Sequence, residues 1–355
     1  MLRFYRQHYR PDYVFTHRAF FDWNFASPYQ ADGRSGQRLA VLGSRIVGIM
    51  GVLPWPLQVA GQELLGEYNI NLFVDPLHRG QSLGSALLEN VSTGYRCSLS
   101  NGYKSETLSM YQRLGSVAHW RMSRFVKVLD HRQVRQALRD APRFIELGER
   151  EKVAAVDLAT TSAQKRLAPP SLSFTEVTRF GDDWDTAWQR LRRRYGLTTW
   201  RSSRFLNWRY IDYPYPLYTC LAGSDGKSIQ AAVVLRREAS SYGPIVRIVD
   251  SVSAEGLELD GFAIAEQFSR GTGAVLIDYV ASGRIATSSL QDAGYVDLRS
   301  SDGATLLPMD FNPRRYRDSI LVLGMFRDPD DPGLAELNDG QYYIVKGDGD
   351  QDRAN

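Results

Sequence analysis

The segment from Asn69 to Ser85 constrains this chain more than any other. Ile70, Leu72, Phe73 and Val74 form an apolar run that reads as a buried strand. Asp75-Pro76 ends it, because proline brings no N–H to a sheet ladder and biases the residue before it away from helix. A short basic turn of small residues follows, Arg79-Gly80-Gln81-Ser82-Leu83-Gly84-Ser85, and Leu83, Ala86, Leu87 and Leu88 then carry helical spacing. Strand, glycine-bearing turn and helix start together make a cradle for phosphate. The first N–H groups of a helix lack intrahelical partners, and the positive end of its dipole faces the anion. Gly80 and Gly84 let the backbone approach closely, and Arg79 adds charge.

The turn has neither the Gly-Lys-Ser/Thr ending of a Walker A loop nor the Gly-x-Gly-x-x-Gly spacing of a dinucleotide site. Gln81-Ser82-Leu83-Gly84, set behind Val74-Asp75-Pro76, resembles the pyrophosphate-binding motif of the GNAT acetyltransferase superfamily, an Arg/Gln-x-x-Gly-x-Gly/Ala turn after a strand ending in Val-x-Pro. Ser82 stands where that motif has its first glycine. Glu106 to Gly115 reads as an amphipathic helical turn or two closed by glycine, and Phe125 to Leu129 as a strand. This is similar to the family's tyrosine-bearing helix, Leu-Gly corner and last strand. Ser116 replaces the usual aromatic, and Lys104 sits where an asparagine often contacts the cofactor. The resemblance implies an α/β (α+β) fold with a mixed sheet and acetyl-CoA, or another acyl-CoA, as co-substrate. It implies cofactor contacts from Leu72, Phe73 and Val74 along the strand, and from Arg79, Gly80, Gln81, Ser82, Leu83, Gly84 and Ser85 at the turn.

Composition excludes several classes. The 355 residues suit two domains, and 43% hydrophobic with 23% charged residues allows a full core. A net charge of +3 without a dense Lys/Arg block gives nucleic-acid binding no support. Cys97 and Cys220 are too few for a disulfide framework or a zinc site. Met1 to Arg10 alternates aromatic and basic residues without an apolar signal core, and no window approaches the ~20 apolar residues of a membrane helix. A cytoplasmic protein without stable membrane insertion is expected.

The second half reads as a faint copy of the first. Phe20 to Phe25 and Phe205 to Tyr210 share Phe-x-x-Trp-x-aromatic, each before a Pro/Tyr cluster and a strand-like alternation. Leu114-Gly115-Ser116-Val117 pairs with Ala293-Gly294-Tyr295-Val296 at nearly the same distance from its tryptophan. Two tandem GNAT-like domains are therefore expected: 1–130 binding acyl-CoA, a helical linker over 131–170, a degenerate copy over 171–346 and an acidic tail over 347–355. The second copy lacks the pyrophosphate-binding turn, since Ser251 to Glu258 is acidic and repels a pyrophosphate. The arginines at 190 and 192–194 read as a solvated basic face, or as a phosphate contact if they reach the first domain's cleft.

Acyl transfer to an amine needs a polarised carbonyl, a base and a proton for the leaving thiolate. The resemblance places Tyr111 as the acid. Glu67, beginning the motif strand, is a candidate base if burial raises its pKa. His78 sits in the phosphate turn and His119 after the Leu-Gly corner, while no metal-ligand cluster and no Ser-His-Asp or Cys-His constellation is spaced for catalysis.

The tail Gly347 to Asn355 has the look of a calcium loop without its later glutamate, and reads as a disordered acidic extension. That ending, with Phe205-Leu206-Asn207-Trp208-Arg209-Tyr210, is similar to tandem GNAT-like proteins associated with bacterial surface-polysaccharide gene clusters. The similarity suggests an amino sugar, free or nucleotide- or lipid-linked, as acceptor for N-acylation. A Fem-type aminoacyl transferase using charged tRNA, and a non-catalytic binding protein with a decayed site, are the alternatives. The phosphate turn and the lack of sustained heptads oppose the first; intact Arg79-Gly80 and Gly84 oppose the second.

Overall fold

The computed structural model describes residues 1–9, 13–30, 36–92, 97–103, 105–116, 118–140, 149, 166–215, 217–283, 290–291, 293–297, 320–327, 342–350 and 352. They gather into two compact units, each drawn from separate stretches of chain. Unit 1 takes Met1–Arg121, Tyr195–Pro216 and Ser319–Asn355; unit 2 takes Met122–Arg194 and Leu217–Asp318.

In unit 1 an antiparallel meander, β1 (Gln37–Leu42), β2 (Arg45–Val59) and β3 (Gln62–Val74), leads into α3 (Leu83–Ser92) and then β4 (Cys97–Tyr103), which runs parallel to β3. Ahead of it lie α1 (Leu2–His8) and α2 (Arg18–Phe25); after it come α4 (Ser105–Arg113) and β5 (Ala118–Arg121). Three later strands complete the unit. β14 (Ile320–Arg327) lies between β4 and β5, β8 (Leu197–Thr199) pairs with the far end of β2, and β15 (Tyr342–Val345) pairs with β8.

β2 carries Pro54 and Pro56 in mid-strand, which sheet chemistry normally forbids. Val52 N–H donates to Gly36 O, so the nitrogens of residues 54 and 56 face that same edge. There β1 has ended and β8, which starts its pairing at Leu57, has not begun. Pro54 therefore costs no ladder bond, and at Pro56 the carbonyl still accepts from Trp200 N–H, just past the end of β8.

Unit 2 repeats the order. β9 (Tyr218–Ser224), β10 (Ile229–Glu238) and β11 (Ile245–Ser253) form the meander, α7 (Glu258–Gly271) follows, and β12 (Leu276–Gly283) runs parallel to β11. β7 (Ser173–Glu176) joins β9, while β6 (Ser123–Val128) pairs with β12 and with β13 (Val296–Asp297). α5 (His131–Asp140) and α6 (Asp182–Leu191) belong to this unit. Most of the expected linker, 141–148 and 150–165, lies outside the described residues.

Contiguous domains over 1–130 and 171–346 are not how the units are built. β6, the strand expected to close the first domain, is donated to unit 2, and β14 from the second half serves unit 1. A fully buried strand such as β6 satisfies its ladder in any sheet that offers a free edge. The tail is likewise not an exposed extension. Asp348, Asp350 and Asp352 are all buried within unit 1. Among the described residues no helix is long and apolar enough to cross a membrane.

Candidate functional site

β3 and β4 pair only at Glu67↔Ser98 and Tyr68↔Leu99 and then part. From Asn69 to Val74 the edge of β3 turned away from β2 is therefore without a β4 ladder. β3 is also bulged against β2: its register slips between Ile49 and Gly51, and Asn71 takes a left-handed φ of 52°. The Tyr13 hydroxyl hydrogen-bonds Asn71 Oδ1, pinning this conformation. Leu72 and Val74 pack on the apolar cluster of Met50, Val52, Leu87, Leu88 and Tyr111, while Phe73 lies against Phe4, His8 and Tyr9.

Asp75 stops β3 as expected. Its Oδ1 accepts from Leu77 N–H at 3.1 Å, capping the turn Pro76–His78, and that bond holds its carboxyl below the usual range. His78 Nδ1 lies 3.3 Å from Asp75 Oδ2, so the histidine braces the turn. Arg79 Nε donates to Val74 O at 3.2 Å and its guanidinium sits over the Phe73 ring, leaving an exposed cation beside the turn.

Gly80 and Ser82 both have positive φ, 79° and 58°. The serine found in place of the motif's glycine thus holds a backbone that glycine adopts without cost. Ser82→Gly is expected to stabilise the protein slightly, by roughly 0.5 kcal/mol after the glycine's unfolded-state entropy is subtracted, whereas Ser82→Val costs about 1–2 kcal/mol. Urea unfolding of the two variants checks both signs. A Cβ at Gly84 would meet Met110 Sδ at 3.6 Å, an ordinary contact. The fold alone does not demand glycine there.

Glu67 is fully buried on β3, with Ser98 and Asn69 as its polar neighbours. Burial raises its pKa from 4.5 to about 8; Ser98, Arg38 and Asn69 pull it back only in part. Tyr111, buried on α4, has its hydroxyl pKa raised by burial, with Ser100 on β4 opposing and the Glu67 carboxylate adding to the rise. The two candidate catalytic side chains thus share one electrostatic neighbourhood beside the start of the β3/β4 split. Lys104 lies outside the described residues; His119 falls on β5.

Sequence reasoning missed the C-terminal segment. Asp348, wholly buried, accepts from Arg201 Nη2 at 3.0 and 3.3 Å, from Thr199 Oγ1 at 2.7 Å and from Val345 N–H at 2.8 Å. Arg209 donates to the carbonyls of Gly347, Gly349 and Asp352. Gly349, at φ 78°, lies against the Tyr68 ring, where a Cβ would come within 2.6 Å. Asn101 Nδ2 reaches both Tyr68 Oη and Asp348 O. Among the described residues no group of acidic, histidine or cysteine side chains is placed to hold a metal. In the arginine run, Arg194 pairs with Glu258 and Ser253 O, and Arg190 with Ile229 O, all within unit 2.

No protein-family model matches the sequence, and no curated protein does. Solved structures do. Saccharomyces cerevisiae N-myristoyltransferase with bound myristoyl-CoA matches over 92% of this chain and 77% of its own, at a TM-score of 0.54 and 11% identity. A GCN5-related N-acetyltransferase from Anabaena variabilis ATCC 29413 matches over 82% of this chain with a TM-score of 0.50 and 13% identity; this chain spans 63% of its length. A conserved Enterococcus faecalis V583 protein matches over 87% of this chain and 69% of its own, at 0.51 and 10%. At these identities the likeness is one of fold: this chain shares the mixed α/β fold of the N-myristoyltransferase and GCN5-related N-acetyltransferase structures.

Proposed function

We propose that this protein is an acyl-CoA-dependent N-acyltransferase, with acetyl-CoA as the expected donor and an amine, an amino sugar or a related glycan precursor, as acceptor. The observation that carries this reading is the β3/β4 split, with the Gly80–Ser82 turn and α3 beyond one end and Glu67 and Tyr111 beside the other. The unladdered edge of β3 from Asn69 to Val74 suits a pantetheine arm pairing as an added strand. N–H groups of that strand would polarise the acyl carbonyl. Arg79, Gly80, Gln81, Ser82, Leu83, Gly84 and Ser85 would hold the pyrophosphate.

The acceptor arrives as an ammonium. Glu67, ionised above about pH 8, takes one proton and passes it to solvent. The freed nitrogen attacks the thioester carbonyl carbon; the C–N bond forms and the C–S bond breaks. The thiolate leaves with the proton of Tyr111, which the remaining proton of the nitrogen replaces. Burial keeps the Tyr111 phenol protonated until that moment. Cys97 and Cys220, both buried free thiols, take no part in this scheme and fit a reducing compartment.

Calorimetry with acetyl-CoA and longer acyl-CoA thioesters tests the proposal. The wild type is expected to bind in the micromolar range and Arg79→Glu to lose at least tenfold in affinity. A folded wild type that binds none of them would remove the acyl-CoA reading.

A further inference from the structure

The β3/β4 split closes at one end, and side chains bridge both faces of that end. Asn69 Nδ2 on β3 donates to Ser98 Oγ on β4, and Asn101 Nδ2 on β4 donates to Tyr68 Oη on β3 at 3.3 Å. Tyr68 and Asn69 are successive strand residues, so the two bridges lie on opposite faces of the sheet. The C-terminal segment covers the Tyr68 face. Asn101 Nδ2 also donates to Asp348 O at 3.2 Å, and a Cβ on Gly349 would stand 2.6 Å from the Tyr68 ring. Burial raises the pKa of the Tyr5 and Tyr111 phenols, and the Asp350 carboxylate adds to both rises, so the segment runs on within electrostatic reach of each. Two arginines fix it in place. Arg201 pairs with Asp348, while Arg209, its guanidinium 5.6 Å from the centre of the Trp23 ring, donates to the carbonyls of Gly347, Gly349 and Asp352.

We infer that residues 348–350 wall off the acyl end of the donor channel and restrict the protein to short-chain acyl-CoA thioesters. The inference rests on the acyl-transfer reading, which sets the direction of the donor. With its pyrophosphate at the turn after Val74, the arm runs back along β3 and brings the acyl group toward Asn69 and Tyr68. A longer chain must then leave by one face or the other. On the Glu67 face it meets Glu67, Ser100 and the Asn69–Ser98 bridge, buried polar groups to which an alkyl chain offers no partner. On the other face the place beside the Tyr68 ring is taken by Gly349, packed too closely for any side chain. An acetyl group, with one carbon past its carbonyl, needs neither exit.

Calorimetry with acetyl-CoA and octanoyl-CoA tests the wall. A chain that finds apolar space gains roughly fourfold in affinity per methylene, so an open channel would strongly favour octanoyl-CoA. The wild type is expected instead to bind octanoyl-CoA at least tenfold more weakly than acetyl-CoA. Gly349→Ala pushes the segment off the Tyr68 ring, and Arg209→Met releases the three carbonyls. Each is expected to raise the octanoyl-to-acetyl affinity ratio at least tenfold. Arg209→Met changes the clamp and not the wall, so it should keep the wild-type affinity for acetyl-CoA, which also reports that the variant is folded. A segment with a purely structural role would lower the melting temperature of both variants and leave the ratio where it was, and that result would overturn the inference. So would a wild type that binds octanoyl-CoA as tightly as acetyl-CoA, whatever the variants do. A folded wild type that binds neither thioester is a different failure: it overturns the acyl-transfer reading itself, and the wall with it.

Discussion

Glu67→Gln is expected to make the protein more stable above pH 8 while removing most of its activity. Glu67 is fully buried, and burial raises its pKa from 4.5 to about 8 against the pull of Ser98, Arg38 and Asn69. The folded state therefore holds a proton that the unfolded state releases. Below about pH 4.5 both states are protonated and the site carries no penalty. Between about 4.5 and about 8 the unfolded chain ionises first, so stability falls as pH rises, and above 8 the loss is complete. The full shift corresponds to a penalty on the order of 5 kcal/mol. Glutamine is neutral at every pH and escapes it, at the smaller cost of burying an amide. Urea unfolding at pH 5 and pH 9 is expected to show the variant gaining on the wild type by a few kcal/mol at the higher pH only. In the proposed reaction the same group is the base, so wild-type kcat/KM should climb with unit slope and level near pH 8. The variant should lose about 10²–10⁴-fold and that limb with it. A wild-type profile that is flat from pH 6 to 9 would show that Glu67 takes no proton in the rate-limiting step.

What could be read from the sequence was what local chemistry decides. The strand, stop, turn and helix from Asn69 onward are each set by neighbours a few residues away, and they stand where expected. Gly115 closes α4 at φ 92°, as a helix-stopping glycine does. The two Phe-x-x-Trp-x-aromatic segments meet each other within unit 1. Trp23 and Trp208 stack at 5.4 Å, and each indole N–H donates to the other's backbone carbonyl, the reciprocity of a two-fold contact. Partner choice over long range was not legible. The pattern of β6 fits a buried strand in either sheet, and nothing near it says that its neighbours are Leu276 to Ala281. The acidic tail was misread for the same reason: its burial depends on an arginine 147 residues earlier in the chain.

Arg201→Met is expected to cost about 3–5 kcal/mol, the largest loss of any single change considered for this chain. Both members of the Arg201–Asp348 pair are wholly buried. Arg201 also donates to Thr198 Oγ1 at 2.6 Å and to Thr199 O at 3.1 Å, and its guanidinium lies 4.9 Å from the centre of the Tyr343 ring. Methionine fills much of the volume but leaves the Asp348 carboxylate in the interior without its guanidinium partner, while Thr199 and Val345 still donate to it. The cheapest escape is for the segment from Gly347 onward to leave its seat, taking Asp350 away from Tyr5. The variant should therefore show a lower urea midpoint and new proteolytic cleavage after residue 345, with acetyl-CoA affinity preserved in the folded fraction. Arg201→Met combined with Asp348→Leu removes both charges and should recover most of the loss, because a buried pair replaced by apolar residues is close to neutral where a broken pair is not. An exposed, disordered acidic tail would behave otherwise: Arg201→Met would then cost about 0–1 kcal/mol, as for a surface pair, and the double variant would recover nothing.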